Sequence, residues 1–312
     1  MTATATTASG AEACRLVLGT NVFGWTAGQE ASHEILSSYV DGGGNFIDTA
    51  DSYSFWGEGN AGGESERIIG SWLSGRSDRD QLIVATKVSH HPEFSGMSPE
   101  NIRVAVEESL RRLGTECIDL YYAHFDDPSV PLEQSVQAMS ELVDQGKIRS
   151  IGVSNYSSQR IEEWISIAKS AGYHVPIAIE PQYNLMERAV ETDILPLASK
   201  HGLDVYPYYS LAHGFLSGKY RPGNLPQGAR TSDASQYMDA RGLSVLAVLD
   251  EIAKRRQVQP AAIAVAWIRG KNDVTAPIAS ARNLDQLSPL LSTLNLVLDE
   301  GEVQLLDEAS RI

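Results

Sequence analysis

The most constraining feature of this chain is an alternation: eight apolar runs of strand length, each separated from the next by a stretch with helical period. The runs fall at 16–19, 45–50, 82–88, 118–124, 148–155, 177–184, 203–210 and 274–280. A tight turn cannot join two parallel strands, which need a crossover of about a dozen residues or more, usually a helix. Eight strands with helical crossovers throughout predict an α/β chain folded as a single TIM-type (β/α)8 barrel. The segment 98–114 shows the local logic. Ser98 suits an N-cap and Pro99 the first helical position, while Ile102, Ala105, Val106, Leu110 and Leu113 form one apolar stripe and Gly114 stops the helix. Comparable helices are expected at 32–42, 65–75, 131–146, 157–172, 187–202 and 243–257, with a further helix at the C-terminus. Residues 1–12, rich in Ala and Thr, read as a flexible tail ahead of a barrel spanning 13–312. The interval 221–242, rich in Gly, Pro, Ser and Asp, is longer than an ordinary βα loop and reads as a flap over the site, with Gly223, Gly228 and Gly242 as hinges.

Composition sets the class of partner. A net charge of −15 with no basic run repels phosphate backbones and anionic membranes, so nucleic acid and membrane are not expected partners. No apolar run approaches the roughly 20 residues that span a bilayer. Cys14 and Cys117 form no C-x-x-C pair, and residues 1–10 lack a charged-then-apolar secretory pattern, which suits a reducing cytoplasm.

In such barrels reactive groups sit where strands end, at the C-terminal mouth. Here Asp48 ends the second run, Lys87 the third, His124 the fourth, Ser154 and Asn155 the fifth, Gln182 the sixth and Tyr208 the seventh. Tyr53 follows Asp48 by five residues, on the loop leaving the same strand. A free tyrosine has a pKa of about 10, and a neighbouring ammonium such as Lys87 stabilises its phenolate. Asp48 would keep that lysine charged, and His124 could hydrogen-bond a substrate oxygen and orient it.

The runs Asn45-Phe46-Ile47-Asp48-Thr49-Ala50-Asp51-Ser52-Tyr53, Ala85-Thr86-Lys87 and Tyr121-Tyr122-Ala123-His124 together resemble the aldo-keto reductase superfamily. The likeness continues through Gly152-Val153-Ser154-Asn155, Glu180-Pro181-Gln182-Tyr183-Asn184, the stretch 207–220 and the stretch 277–287. The resemblance implies a catalytic tetrad of Asp48, Tyr53, Lys87 and His124 and an NADP(H)-dependent carbonyl reduction, with NAD(H) also possible. It implies that Ser154, Asn155 and Gln182 hydrogen-bond the nicotinamide carboxamide, that Tyr208 stacks on the ring, and that Gly19, Thr20 and Ser280 border the cofactor. Leu211, Gly214, Leu216, Gly218 and Lys219 would follow the pyrophosphate, joined by Arg230, while Arg282 and Gln286 would meet the adenosine phosphate. An arginine there suits a 2′-phosphate. Trp25, Phe55, Trp56, Phe125 and Met186, on βα loops, are the expected substrate-pocket residues for a small-molecule carbonyl.

Two motifs invite other readings. Gly57-Glu58-Gly59-Asn60-Ala61-Gly62 fits G-x-G-x-x-G, but it begins seven residues after its strand rather than at the strand terminus where a pyrophosphate turn is needed. His90-His91 looks like a metal pair, yet adjacent residues at a strand end point in different directions and no further ligand cluster accompanies them, so no metal is expected. Two other functions remain open at this point. One is a nicotinamide-sensing regulatory subunit that keeps the tetrad; the other is a Schiff-base barrel enzyme using Lys87 as nucleophile.

Overall fold

The computed structural model describes residues 12–226 and 228–311. The expected N-terminal tail therefore lies, but for residue 12, outside the described residues. Eight strands form the centre: β1 (Val17–Gly19), β2 (Phe46–Asp48), β3 (Ile83–Val88), β4 (Leu120–Ala123), β5 (Ile151–Ser154), β6 (Ala178–Glu180), β7 (Asp204–Val205) and β8 (Ile278–Ala279). They are hydrogen-bonded in the order β7-β6-β5-β4-β3-β2-β1-β8. Every neighbouring pair is parallel. The ring closes between β7 and β8, where Thr275 donates its backbone N–H to Val205 at 2.9 Å and Ile278 donates to Pro207 at 2.8 Å. The expected (β/α)8 barrel is thus present. Its strands are shorter than the apolar runs, although Tyr208 still donates to the Pro181 carbonyl at 2.9 Å beyond the ends of β6 and β7. Pro181 and Pro207 lack the N–H that would continue β6 and β7.

Period-two alternation separates two cores. Val17, Phe46, Ile83, Ala85, Leu120, Tyr122, Ala178, Tyr206 and Ile278 face inward and fill the barrel. Residues of the other parity, such as Leu18, Ile47, Val84, Tyr121, Val153 and Val205, pack outward against the helices, together with Trp72, Trp164 and Trp267. The register places Asp48 beside Ala85 and Lys87 beside Tyr122. Each inward row therefore climbs from apolar residues to polar ones at the mouth.

The helix Pro99–Leu113 forms as expected, with the Ser98 hydroxyl accepting from the Asn101 N–H and Gly114 left-handed at φ 64°. Arg112 does more than complement the helix dipole: it is buried and pairs with Glu66 at 2.5 Å, and Thr86 donates to the same carboxylate at 2.6 Å. Three expectations need correction. The helix expected at 187–202 begins only at Ile194, where the Asp193 side chain caps it, because Asn184 and Glu187 first exchange backbone hydrogen bonds in a turn. The β7–β8 crossover carries an additional helix, Pro260–Arg269, whose residues from Ala261 to Ile268 are all buried. A helix apolar all round has no amphipathic signature to read. Finally, 221–242 is not a continuous loop. It contains a turn at Arg221–Asn224 and a short helix, Thr231–Ser235. Gly242 lies inside the first turn of the helix Ala240–Arg256, where its N–H donates to the capping Asp239 side chain at 2.7 Å. A Cβ at Gly242 would lie 1.8 Å from the Tyr237 carbonyl oxygen, so glycine is required there by close packing and does not serve as a hinge.

Candidate active site

The mouth of the barrel opens into a cavity of about 700 Å3. At its floor Lys87 is fully buried. Its ammonium donates to Asp48 Oδ1 at 2.5 Å, to the Thr49 carbonyl at 2.8 Å and to the Tyr53 hydroxyl at 3.2 Å. The Tyr53 hydroxyl also lies 3.5 Å from Asp48 Oδ2. Three strands and one loop thus bring Asp48, Tyr53, Lys87 and His124 together, with the His124 ring 6.2 Å from that of Tyr53. The turn carrying Tyr53 is set by its neighbour. Ser54 adopts a left-handed φ of 73°, and its hydroxyl ties the loop to the Phe23 carbonyl at 2.7 Å. Such a backbone costs of order 1–3 kcal/mol and persists only where surrounding contacts over-determine it.

Electrostatics refine the simple picture of Lys87 acidifying Tyr53. Burial pushes the Tyr53 phenol up, and the nearby Asp48 and Glu180 carboxylates push it further. The ammonium at 3.2 Å thus acts against burial and the acidic groups around the phenol, not alone. Burial, then Lys87 and His90, hold His124 well below the usual histidine range, so its imidazole is neutral. Its Nδ1 is buried with no hydrogen-bond partner among the described residues.

The side walls come from β5 to β8. Ser154 donates to the Glu180 carbonyl at 2.9 Å. Asn155, left-handed at φ 58°, donates to the His124 carbonyl at 3.0 Å and accepts from the Tyr208 hydroxyl at 2.7 Å. Beyond β7 the chain passes through positive φ at Tyr209, Ala212, His213, Gly214 and Gly218. Such alternation shapes backbone into concavities suited to anions. Lys219, Arg230 and Arg282 line this end of the cavity, and among the described residues none of the three forms an ion pair. Lys219 is held below the usual lysine range by burial, then by Arg282 and Arg230.

The structure places the remaining expected residues as follows. Gly19, Asp48, Ser154, Asn155, Tyr208, Leu211, Gly214, Lys219, Arg230, Ser280, Arg282 and Gln286 line the cavity. Thr20 does not: its buried hydroxyl donates to the Asp48 carbonyl at 2.8 Å and anchors the strand end. Leu216 is fully buried in the outer core, and a Cβ on Gly218 would press on Pro260. Gln182 falls outside the cavity; Glu180, two residues earlier on the same strand, lines it instead. Trp25, Trp56 and Phe125 frame the mouth above Tyr53, whereas Phe55 backs Trp56 and Met186 is buried core. Sequence reasoning missed Asn21, His90, Glu180, Tyr209 and His213 as lining residues. The signal for Tyr209 and His213 was available in the same 207–220 stretch. His90 faces this cavity beside Phe125 at 4.7 Å, while His91 turns away toward Phe94. No cluster of three metal-ligating side chains is found among the described residues, and among them no helix is long and apolar enough to cross a membrane.

A parallel barrel with its polar side chains gathered at one mouth is an enzyme-type architecture, and comparison with known proteins gives its class, an oxidoreductase. The family model for the Aldo/keto reductase family matches residues 15–311, and the chain belongs to that family. It is 35% identical over 297 residues to the aldo-keto reductase YhdN of Bacillus subtilis, covering 90% of this chain and 85% of the relative. It is 28% identical over 294 residues to the aldo-keto reductase yakc [NADP(+)] of Schizosaccharomyces pombe, covering 90% and 83%. An aryl-alcohol dehydrogenase of Pestalotiopsis microspora is 27% identical over 289 residues, covering 90% and 72%.

Proposed function

We propose that this oxidoreductase is an NADP(H)-dependent carbonyl reductase in which Tyr53 protonates the substrate oxygen. The observation that carries the reading is the Tyr53 hydroxyl held 3.2 Å from the Lys87 ammonium and 3.5 Å from Asp48, at the floor of a cavity bordered by neutral His124. When bound, the nicotinamide supplies the hydride in reduction and accepts it in the reverse direction. The chain's own residues do the rest. His124 donates a hydrogen bond to the carbonyl oxygen and orients it; Tyr53 gives that oxygen a proton; Lys87, held in place by Asp48, stabilises the phenolate that remains.

The cavity suits a dinucleotide. Asn155 and Ser154 offer amide and hydroxyl groups beside Tyr208, and at the far end Lys219, Arg230 and Arg282 have no carboxylate partner among the described residues, in a chain of net charge −15. Cations that converge without counter-ions call for a polyanion. Arg282 favours a 2′-phosphate, in keeping with the NADP(+) in the name of the fission-yeast relative. Trp25, Trp56, His90, Phe125, Tyr209 and His213 make an aromatic frame around Tyr53, which favours a carbonyl compound with a planar apolar body. One relative's name specifies an aryl alcohol. A reducing cytoplasm suits the two unpaired cysteines. The Schiff-base reading lacks support, because Lys87 is fully buried and its Nζ is taken up by Asp48, Thr49 and Tyr53.

The decisive experiment is Tyr53→Phe, assayed by NADPH absorbance on a panel of aryl and cyclic carbonyls with cofactor affinity measured separately. Loss of kcat with intact NADPH binding is expected. Wild-type turnover in the variant would refute the assignment.

A further inference from the structure

Glu180 is the buried acid of this site that the chemistry above leaves unused. It projects from β6, across the barrel from β2, and is 2% exposed. One carboxyl oxygen lies 3.4 Å from Lys87 Nζ, and the other, Oε2, is buried with no hydrogen-bond partner among the described residues. Asp48 lies 2.5 Å from the same ammonium. Two carboxylates, both almost wholly withdrawn from solvent, therefore share one cation. Were both ionised, the cluster would carry an uncompensated negative charge in a dry site, which like-charge pairs avoid by sharing a proton. Geometry decides where that proton sits. Asp48 has the shorter contact with Lys87 and the neighbouring Tyr53 hydroxyl, so Asp48 holds the charge.

We propose that Glu180 is a carboxylic acid in the resting protein, and that its proton, passed through Lys87, recharges Tyr53 after Tyr53 has protonated the substrate oxygen. The relay rests on the assignment of Tyr53 as proton donor. Its steps balance. Tyr53 loses its O–H proton to the substrate oxygen. The phenolate takes a proton from the Lys87 ammonium, 3.2 Å away. Lys87 regains one from Glu180 at 3.4 Å, leaving phenol, ammonium and a Glu180 carboxylate. Glu180 is reprotonated from water as product leaves the cavity it lines. Glu180 thus acts through Lys87 and does not touch the substrate. While it is neutral, one of the two charges opposing the phenolate is absent.

The groups facing Glu180 are consistent with this. They are Asp48 on β2, Lys87 on β3, Tyr122 on β4, Tyr208 after β7, and Tyr53. Burial and then Asp48 push the carboxyl well above the usual range, against Lys87, which favours ionisation. Tyr122, inward on β4, has a buried hydroxyl without a partner among the described residues and adds no positive charge.

The test has two arms. Infrared spectra of protein carrying isotope-labelled glutamate carboxyls should show the carbonyl band of a protonated glutamic acid near neutrality. That band should vanish at high pH and in Glu180→Gln. Asp48 and Asp51 contribute nothing to a glutamate label, and the wild-type titration stands even if the variant fails to fold. In turnover, Glu180→Gln should lower kcat about tenfold, less than a direct proton donor contributes, with the KM for the carbonyl unchanged and the alkaline fall in kcat displaced. A wild-type spectrum without the band overturns the protonated acid. A variant with wild-type kcat and pH profile overturns the relay. A wild-type protein that reduces no carbonyl fails the reductase assignment and the relay with it, while the band still decides the protonation of Glu180.

Discussion

Replacing Arg282 with alanine should narrow the proposed preference for NADPH over NADH. Arg282 follows β8 and immediately precedes Asn283, whose side chain caps the helix Leu284–Ser292 by accepting from Gln286 N–H at 3.0 Å. Its backbone N–H is occupied by Gln286 Oε1 at 3.1 Å, so Gln286 holds the turn and leaves the guanidinium to meet an anion. Among the described residues that guanidinium forms no ion pair, and it bears on Lys219, which it helps hold below the usual lysine range. A bound phosphate would relieve this repulsion. A hydrogen bond to a charged group is worth about 1.5–3 kcal/mol, which is roughly 10- to 150-fold in affinity. Arg282 is only half-buried and solvent screening weakens such contacts, so the lower part of that range is expected. Trp25 and Trp56 line the cavity and serve as fluorescent reporters for titrating both cofactors against both proteins at fixed ionic strength. NADPH affinity should fall about tenfold while NADH affinity changes little. Equal weakening for the two cofactors would show that Arg282 contributes only general positive potential, and an unchanged ratio would remove it from cofactor choice altogether.

The segment after β7 should act as a strap. Arg230 lies 5.5 Å from the Trp25 ring and 5.6 Å from that of Tyr209, so it bridges the mouth, and Arg230→Ala should speed NADPH release in stopped-flow displacement; an unchanged rate would make the strap structural only. Arg112→Met should lower stability by about 3–5 kcal/mol in urea unfolding, because it strands the fully buried Glu66 carboxylate. Replacing both partners by apolar residues should restore much of that loss, and a single variant as stable as wild type would refute the buried-pair argument.

How much was legible in the sequence follows from which physical signals are local. The parallel barrel was legible because eight apolar runs separated by helical crossovers admit few other closures, and the family's motifs then located Asp48, Tyr53, Lys87 and His124 on their strands and loop. The helix Pro260–Arg269 was hidden because burial on every side erases the polar stripe that periodicity needs. Gly242 read as a hinge because glycine permits flexibility, yet the structure uses its missing side chain to let the Tyr237 carbonyl approach.

The sixth strand shows a subtler limit. Glu180 and Gln182 lie two residues apart, so alternation assigns both to the inward row and cannot rank them by depth. Depth is set across the barrel, by where β6 stands relative to Lys87 on β3, and by Pro181, whose missing N–H ends the strand after Glu180. A second buried carboxylate sharing Lys87 with Asp48 is electrostatically costly. That cost is the reason Glu180 matters. Two acids on one lysine are tolerated if one of them keeps its proton, and a proton stored next to Lys87 lies where Tyr53 needs one.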